Sequence, residues 1–481
     1  MLYRADIMLR PEDFILSLIW LVIILAAGFA FRNSRYARND PSRKYFFPAL
    51  LLKILGGLSM GAVYLLYYKG GDTASYFLTA YGIHKAFQDS WEAGWTFLTA
   101  SPASYKPGEW ESRHTDLYYT YVIHYIMYFK DPNAYFVSRI VFFATLLTFA
   151  NYFATSIIVS TISFLGVWGL YRTFLYEFPQ LRKQLAFAIF FVPSVWFWGS
   201  GLLKDSLTFG FLGLLTYCVH QVAIRRNYNP FLILISILSM YVIYNIKSYI
   251  LFSFLPFALL WVGFRWRERI TNGYIRLAFT PFLALIFGAG SYVALLRLSE
   301  GSTKYSLDNV LNTAYASKVD LTSSYYYADG KGSSYDIGDF TPTPAGVLSK
   351  LPICVVTTLF RPFLFESRSA LMLISALENT VLLLFFLRLF FRIGIIRFFK
   401  LLSTQSILFF SFGFSISFAF MVGLSSGNFG NLVRYKIPCI PFFLVSLVIM
   451  NYLIERERKR LLQLKIDKFA ALRAAPAKAL A

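Results

Sequence analysis

Runs of about 18 or more apolar residues recur along the chain, and that feature narrows the accessible folds more than any other. Such a segment satisfies its backbone polar groups in hydrocarbon by becoming a helix. The expected fold class is an all-α polytopic membrane protein. Composition agrees. Of 481 residues, 57% are hydrophobic, 19% aromatic and only 15% charged, where a soluble chain carries about a quarter charged. The first run, Phe14–Phe31, leads into a basic loop instead of a small-residue cleavage site, so it reads as a retained helix.

The net charge of +21 is gathered in short connectors. Arg32 to Lys44, Arg172 to Lys183, Arg225 and Arg226, Arg265 to Arg276, Arg388 to Lys400 and Arg456 to Arg460 bound these groups. That distribution follows the positive-inside rule and argues against nucleic acid as a partner. Cys218, Cys354 and Cys439 are far apart and suggest neither a disulfide framework nor a metal motif.

Placing the basic connectors in the cytoplasm yields about eleven spans: 14–31, 46–67, 150–171, 185–200, 204–223, 230–245, 249–265, 277–297, 369–391, 405–424 and 434–454. An oblique helix at 134–149 precedes the third. The N-terminus is then outside, residues 1–454 form one transmembrane domain, and 455–481 make a charged, Ala-rich cytoplasmic tail. Two long outer segments remain, 68–132 and 298–368. In the first, "TASYFLTAYGIHKAF" and "DLYYTYVIHYIMYF" suit helices lying in the membrane interface. The second is rich in Ser, Tyr, Asp and Gly and reads as a loop or small cap.

This topology brings polar residues from six helix ends to the outer face: Asp72, Lys204 and Asp205, Lys247, Arg361 with Glu366 and Arg368, and Arg434 with Lys436. The positive-inside rule leaves that face poor in cations, so several cations near one aspartate point to a phosphate-bearing ligand beside a base. Taken singly, each cation also suits a lipid headgroup or a neighbouring carboxylate, and Asp72 suits a helix cap. In "PSVWFWGSGLLKDS", Pro193 ends one helix, Gly199 and Gly201 allow a turn, and Lys204 and Asp205 open the next helix. Glu378 lies within a span, which is a functional position or a hydrogen-bonded packing position. His84, His114 and His124, with Asp116 near His114, match no spaced metal-ligand set, so no metal or other cofactor is expected.

These patterns resemble the GT-C type of integral-membrane glycosyltransferases, which use polyprenyl-phosphate sugars, among them bacterial proteins of surface-polysaccharide synthesis. The resemblance rests on Gly71, Asp72, Tyr76 and Phe77 in the first outer segment, on "PSVWFWGSGLLKDS", and on "LFRPFLFE" and "NFGNLVRYK". It implies a bacterial inner-membrane enzyme with its active site at the outer face. Asp72 would be the catalytic base of an inverting transfer from the lipid-phosphate donor to a hydroxyl of a glycan, lipid or protein acceptor. Lys204, Arg361 and Arg434 would stabilise the phosphate, with Asp205, Lys247, Glu366, Tyr76, His114 and Asp116 among the substrate-binding groups. Trp91, Trp95 and Tyr325 to Tyr327 would stack on sugars. The chain departs from the simplest family layout in placing the acidic loop after the second span, and no second acid adjoins Asp72. An O-antigen-type polymerase or ligase, and a lipid-linked oligosaccharide flippase, remain the alternatives.

Overall fold

The computed structural model describes residues 5–101, 106, 108–271, 274–275, 335–338, 341 and 343–478. The expected helix at 277–297 and most of the 298–368 segment, Tyr325 to Tyr327 included, lie outside them. Among the described residues the regular elements are helices and no strand occurs.

Helix α1 (Pro11–Asn33) begins with Pro11 and carries Glu12 and Asp13 in its first turn, where free amides favour negative charge. It is peripheral: Phe14, Ile15, Leu18 and Val22 face outward, each more than 55% exposed. An exposed face of that kind is at home in hydrocarbon and not in water. Helix α2 (Arg43–Ala62) continues through a π-helical turn to Tyr67. Helices α3 (Asp72–Asp89), α4 (Trp91–Thr99) and α5 (Pro132–Leu147) follow. Most of α3 is buried against α4 and α5.

Helix α6 (Tyr152–Glu177) is the central post, capped by the Asn151 side chain on Ala154 N–H at 2.7 Å. The expected span at 185–200 is broken into α7 (Arg182–Phe190) and α8 (Pro193–Trp198), because Pro193 can begin a helix but cannot donate within one. Helix α9 (Lys204–Val219) runs on to Ile224. It lies so close to α6 that a Cβ on Gly166 would stand 1.8 Å from the Gly210 carbonyl oxygen. Small residues permit such backbone approach where burial from water offers no driving force. Ser163 adds a hydrogen bond to the Ser206 carbonyl at 2.6 Å.

The two spans expected at 230–245 and 249–265 form one 39-residue run, α10 (Pro230–Glu268), interrupted at Lys247 (φ −149°, ψ 78°). Its second half runs alongside α9: Lys247 meets Asp205 at one end, and Arg269 meets the Ile224 carbonyl at the other. The chain is completed by α11 (Leu351–Phe360), α12 (Ala370–Ile393), α13 (Ser406–Ser425), α14 (Phe429–Tyr435) and α15 (Ile440–Lys478). Seven described helices are long and apolar enough to cross a membrane, or eight if α14 and the start of α15, bent by 62°, count as one span.

The two ends of the bundle differ. At one, Arg172 pairs with Asp40, Arg265 with Glu177, Arg392 with Glu455 and Arg397 with Glu457. This is where the basic connectors gather. At the other end stands a different polar cluster.

Candidate functional site

Gly70 and Gly71 turn the chain from α2 into α3 with φ of +140° and +105°, values that L side chains rarely adopt. A Cβ on Gly71 would also strike the Tyr64 ring at 2.7 Å. The turn leaves Asp72 as the first residue of α3. There its Oδ2 accepts from Arg434 Nη1 at 2.6 Å and its Oδ1 from the Tyr128 hydroxyl at 2.9 Å.

Arg434 reaches further. Its Nε donates to Asp205 Oδ2 at 2.6 Å, and Asp205 Oδ1 accepts from Lys247. The Lys247 ammonium also lies 4.3 Å from the Tyr435 ring centre. Lys204, beside Asp205 in the first turn of α9, stands 3.5 Å from Asp131 Oδ2. Asp131 Oδ1 meanwhile caps α5 through the amides of Asn133 and Ala134. Residues from five elements thus form one polar cluster in which Lys204, Lys247 and Arg434 face Asp72, Asp131 and Asp205. The sequence suggests cations around one aspartate; the structure balances them with three.

Exposure separates the three carboxylates. The side chain of Asp205 is 0% exposed, Asp72 37% and Asp131 50%. Asp205 is locked between two cations, Asp131 is committed to a helix cap, and Asp72 combines access with orientation. Tyr128 stays a donor, because burial first and the Asp72 charge second push its phenol well above the ordinary value. The Tyr76 ring packs tilted against Tyr128 with centroids 4.8 Å apart, and its phenol is itself pushed up, chiefly by burial.

Arg361 and Glu366 form a second site. Arg361 Nε meets both Glu366 oxygens at 3.0 and 3.1 Å, and the Phe363 amide donates to Oε2 at 2.8 Å. Burial alone would raise the Glu366 carboxyl, but these bonds outweigh it and hold its pKa below the usual value. Arg361 packs over Tyr335 and Phe429 at 5.4 and 5.2 Å. Lys436, two residues past Arg434, donates to Asn379 Oδ1 at 2.6 Å and lies 3.5 Å from the Arg361 carbonyl, joining the two sites through one segment. Glu378 has become a cap: it accepts from Ser194 N–H at 2.8 Å and Ser194 Oγ at 2.5 Å at the start of α8.

Other expected residues stay apart. His114 packs on Trp110 with ring centres 4.8 Å apart, and Asp116 is exposed. Among the described residues neither bonds to the Asp72 cluster. Trp91 and Trp95 pack on Phe87 and on each other. Tyr128 and Asp131 are members that the sequence reading missed. Asp131 was findable, since Asp followed by Pro132 is a helix-start signal, whereas Tyr128 is one tyrosine among many. Compared with protein-family models, curated proteins and solved structures, the chain matches none.

Proposed function

We propose that the protein is a membrane glycosyltransferase that moves a sugar from a polyprenyl-phosphate donor to a hydroxyl acceptor, with Asp72 as base. The observation that carries this reading is the state of Asp72: a carboxylate at a helix end, over a third exposed, aimed by Arg434 and Tyr128. Orientation of that kind is what general-base catalysis requires. The acceptor O–H proton passes to Asp72 Oδ1, which can share its lone pairs with Tyr128. The acceptor oxygen bonds to the anomeric carbon, and the sugar–phosphate C–O bond breaks with its electron pair leaving on the phosphate. Attack opposite the leaving group inverts the centre.

Lys204 is the cation best suited to the phosphate. It is only loosely paired, and its partner Asp131 already serves a helix cap. Asp205 and Lys247 are buried against each other, so in this reading they position Arg434 instead of touching substrate. The leaving lipid remains in the bilayer, which suits a site at helix ends. The arginine-rich end then faces the bacterial cytoplasm and the Asp72 cluster the outer side.

A flippase is the second reading, favoured by the interruption at Lys247, since transporters bind at broken helices. The test is sugar transfer by the purified chain in lipid, with polyprenyl-phosphate sugars and a panel of acceptors. Asp72→Asn is expected to bind donor yet transfer about 100-fold more slowly or worse. Equal rates would remove Asp72 from the chemistry. Movement of labelled lipid-linked sugar across vesicles without transfer would favour the flippase.

A further inference from the structure

The arginine-rich end holds a cavity of about 250 Å³ between α1, α2, α6 and α9. Three guanidinium groups line it, from Arg32, Arg43 and Arg172, with Asp40 the one carboxylate. Asp40 is already spent: Oδ1 accepts from the Ser42 amide at 2.8 Å and Oδ2 from Arg172. Among the described residues, Arg32 and Arg43 have no carboxylate partner. Two part-exposed cations therefore line the cavity without a carboxylate partner, and a phosphate entering it would meet both.

The opposite wall is apolar and includes Phe46, Leu165, Trp168 and Leu214. From Arg172 to Leu165 the wall descends about 10 Å along α6, at 1.5 Å per residue, away from the charged end and into the apolar thickness. Leu165 and Phe31 are both exposed on the bundle surface, so the cavity is continuous with the face that meets hydrocarbon. A free anion has no use for that wall, whereas an amphiphile uses both halves.

We propose that this cavity binds one anionic membrane lipid, its phosphate headgroup held by Arg32 and Arg43 and the start of its chains lying against Leu165 and Trp168. Basic pockets between transmembrane helices take phosphate-bearing lipid headgroups by this charge complementarity. The site is at the opposite end of the bundle from Asp72 and stands apart from the proposed transfer reaction.

The full-length protein in zwitterionic detergent tests this with phosphatidylglycerol, phosphatidylcholine and inorganic phosphate as separate probes. Native mass spectrometry counts bound lipid, and thermal melting reads stabilisation. Phosphatidylglycerol is expected to remain bound and to raise the melting temperature, with phosphatidylcholine and inorganic phosphate doing neither. The R32Q/R43Q double variant should lose about tenfold or more in phosphatidylglycerol affinity. Its melting temperature without lipid should match wild type, since neither arginine holds a carboxylate. Leu165→Trp, on an exposed position, narrows the apolar wall with every charge retained and should also weaken binding. Equal binding of phosphatidylcholine, undiminished binding by both variants, or equal stabilisation by inorganic phosphate would each overturn the assignment.

Discussion

Asp72, Asp131 and Asp205 share one side-chain chemistry and differ in what surrounds them. Asp205 has both oxygens on cations and no exposure, Asp131 divides itself between a cap and Lys204, and Asp72 retains access. The Tyr128 bond to Asp72 is expected to matter for rate. Tyr128→Phe removes the hydroxyl that orients the Asp72 carboxylate and should slow transfer at least about tenfold. Glu366 provides a pH test. Its folded-state pKa is lowered, so its stabilising contribution is present above the unfolded carboxylate value and is lost as pH falls through the folded one. Melting curves between about pH 7 and about pH 3 should show an acid limb in wild type that is reduced in Glu366→Gln. Identical limbs would show that the Arg361–Glu366 pair does not contribute.

At the scale of elements, apolar runs announced the long helices, but two breaks obeyed different rules. Pro193 splits the 185–200 stretch as its ring chemistry demands. The interruption at Lys247 has no proline or glycine beside it; the backbone leaves the helical region at the residue whose side chain reaches Asp205. The α6–α9 seam depends on glycine: with Gly210 O only 1.8 Å from a Cβ built on Gly166, Gly166→Ala must push the helices apart. We expect a loss of about 2–3 kcal/mol, read as a lowered melting temperature in micelles. An unchanged value would mean that the seam relaxes freely.

For the whole molecule, the Asp72–Arg434–Asp205–Lys247 chain joins residues separated by as many as 362 positions. Removing one member strands a buried charge. Arg434→Met should therefore cost about 3–5 kcal/mol and abolish transfer. The double variant Asp205→Asn with Lys247→Met should be less destabilised than the sum of its parts, because each single change leaves a charge that the other would neutralise. Additive losses in a double-mutant cycle would argue against a coupled network.

The sequence by itself determined the helical class, the membrane character, most long-helix positions and the clustering of basic connectors. Each follows from local quantities: length of apolar run, cap residues and charge per connector. It also placed Asp72, Lys204, Asp205, Lys247 and Arg434 at helix ends. Only the tertiary structure decided their pairing, made Asp205 a buried anchor and Asp72 an accessible one, added Tyr128 and Asp131, and kept His114 and Asp116 outside the cluster. Pairing depends on distances between helices far apart in the chain, and packing rather than any local pattern sets those distances.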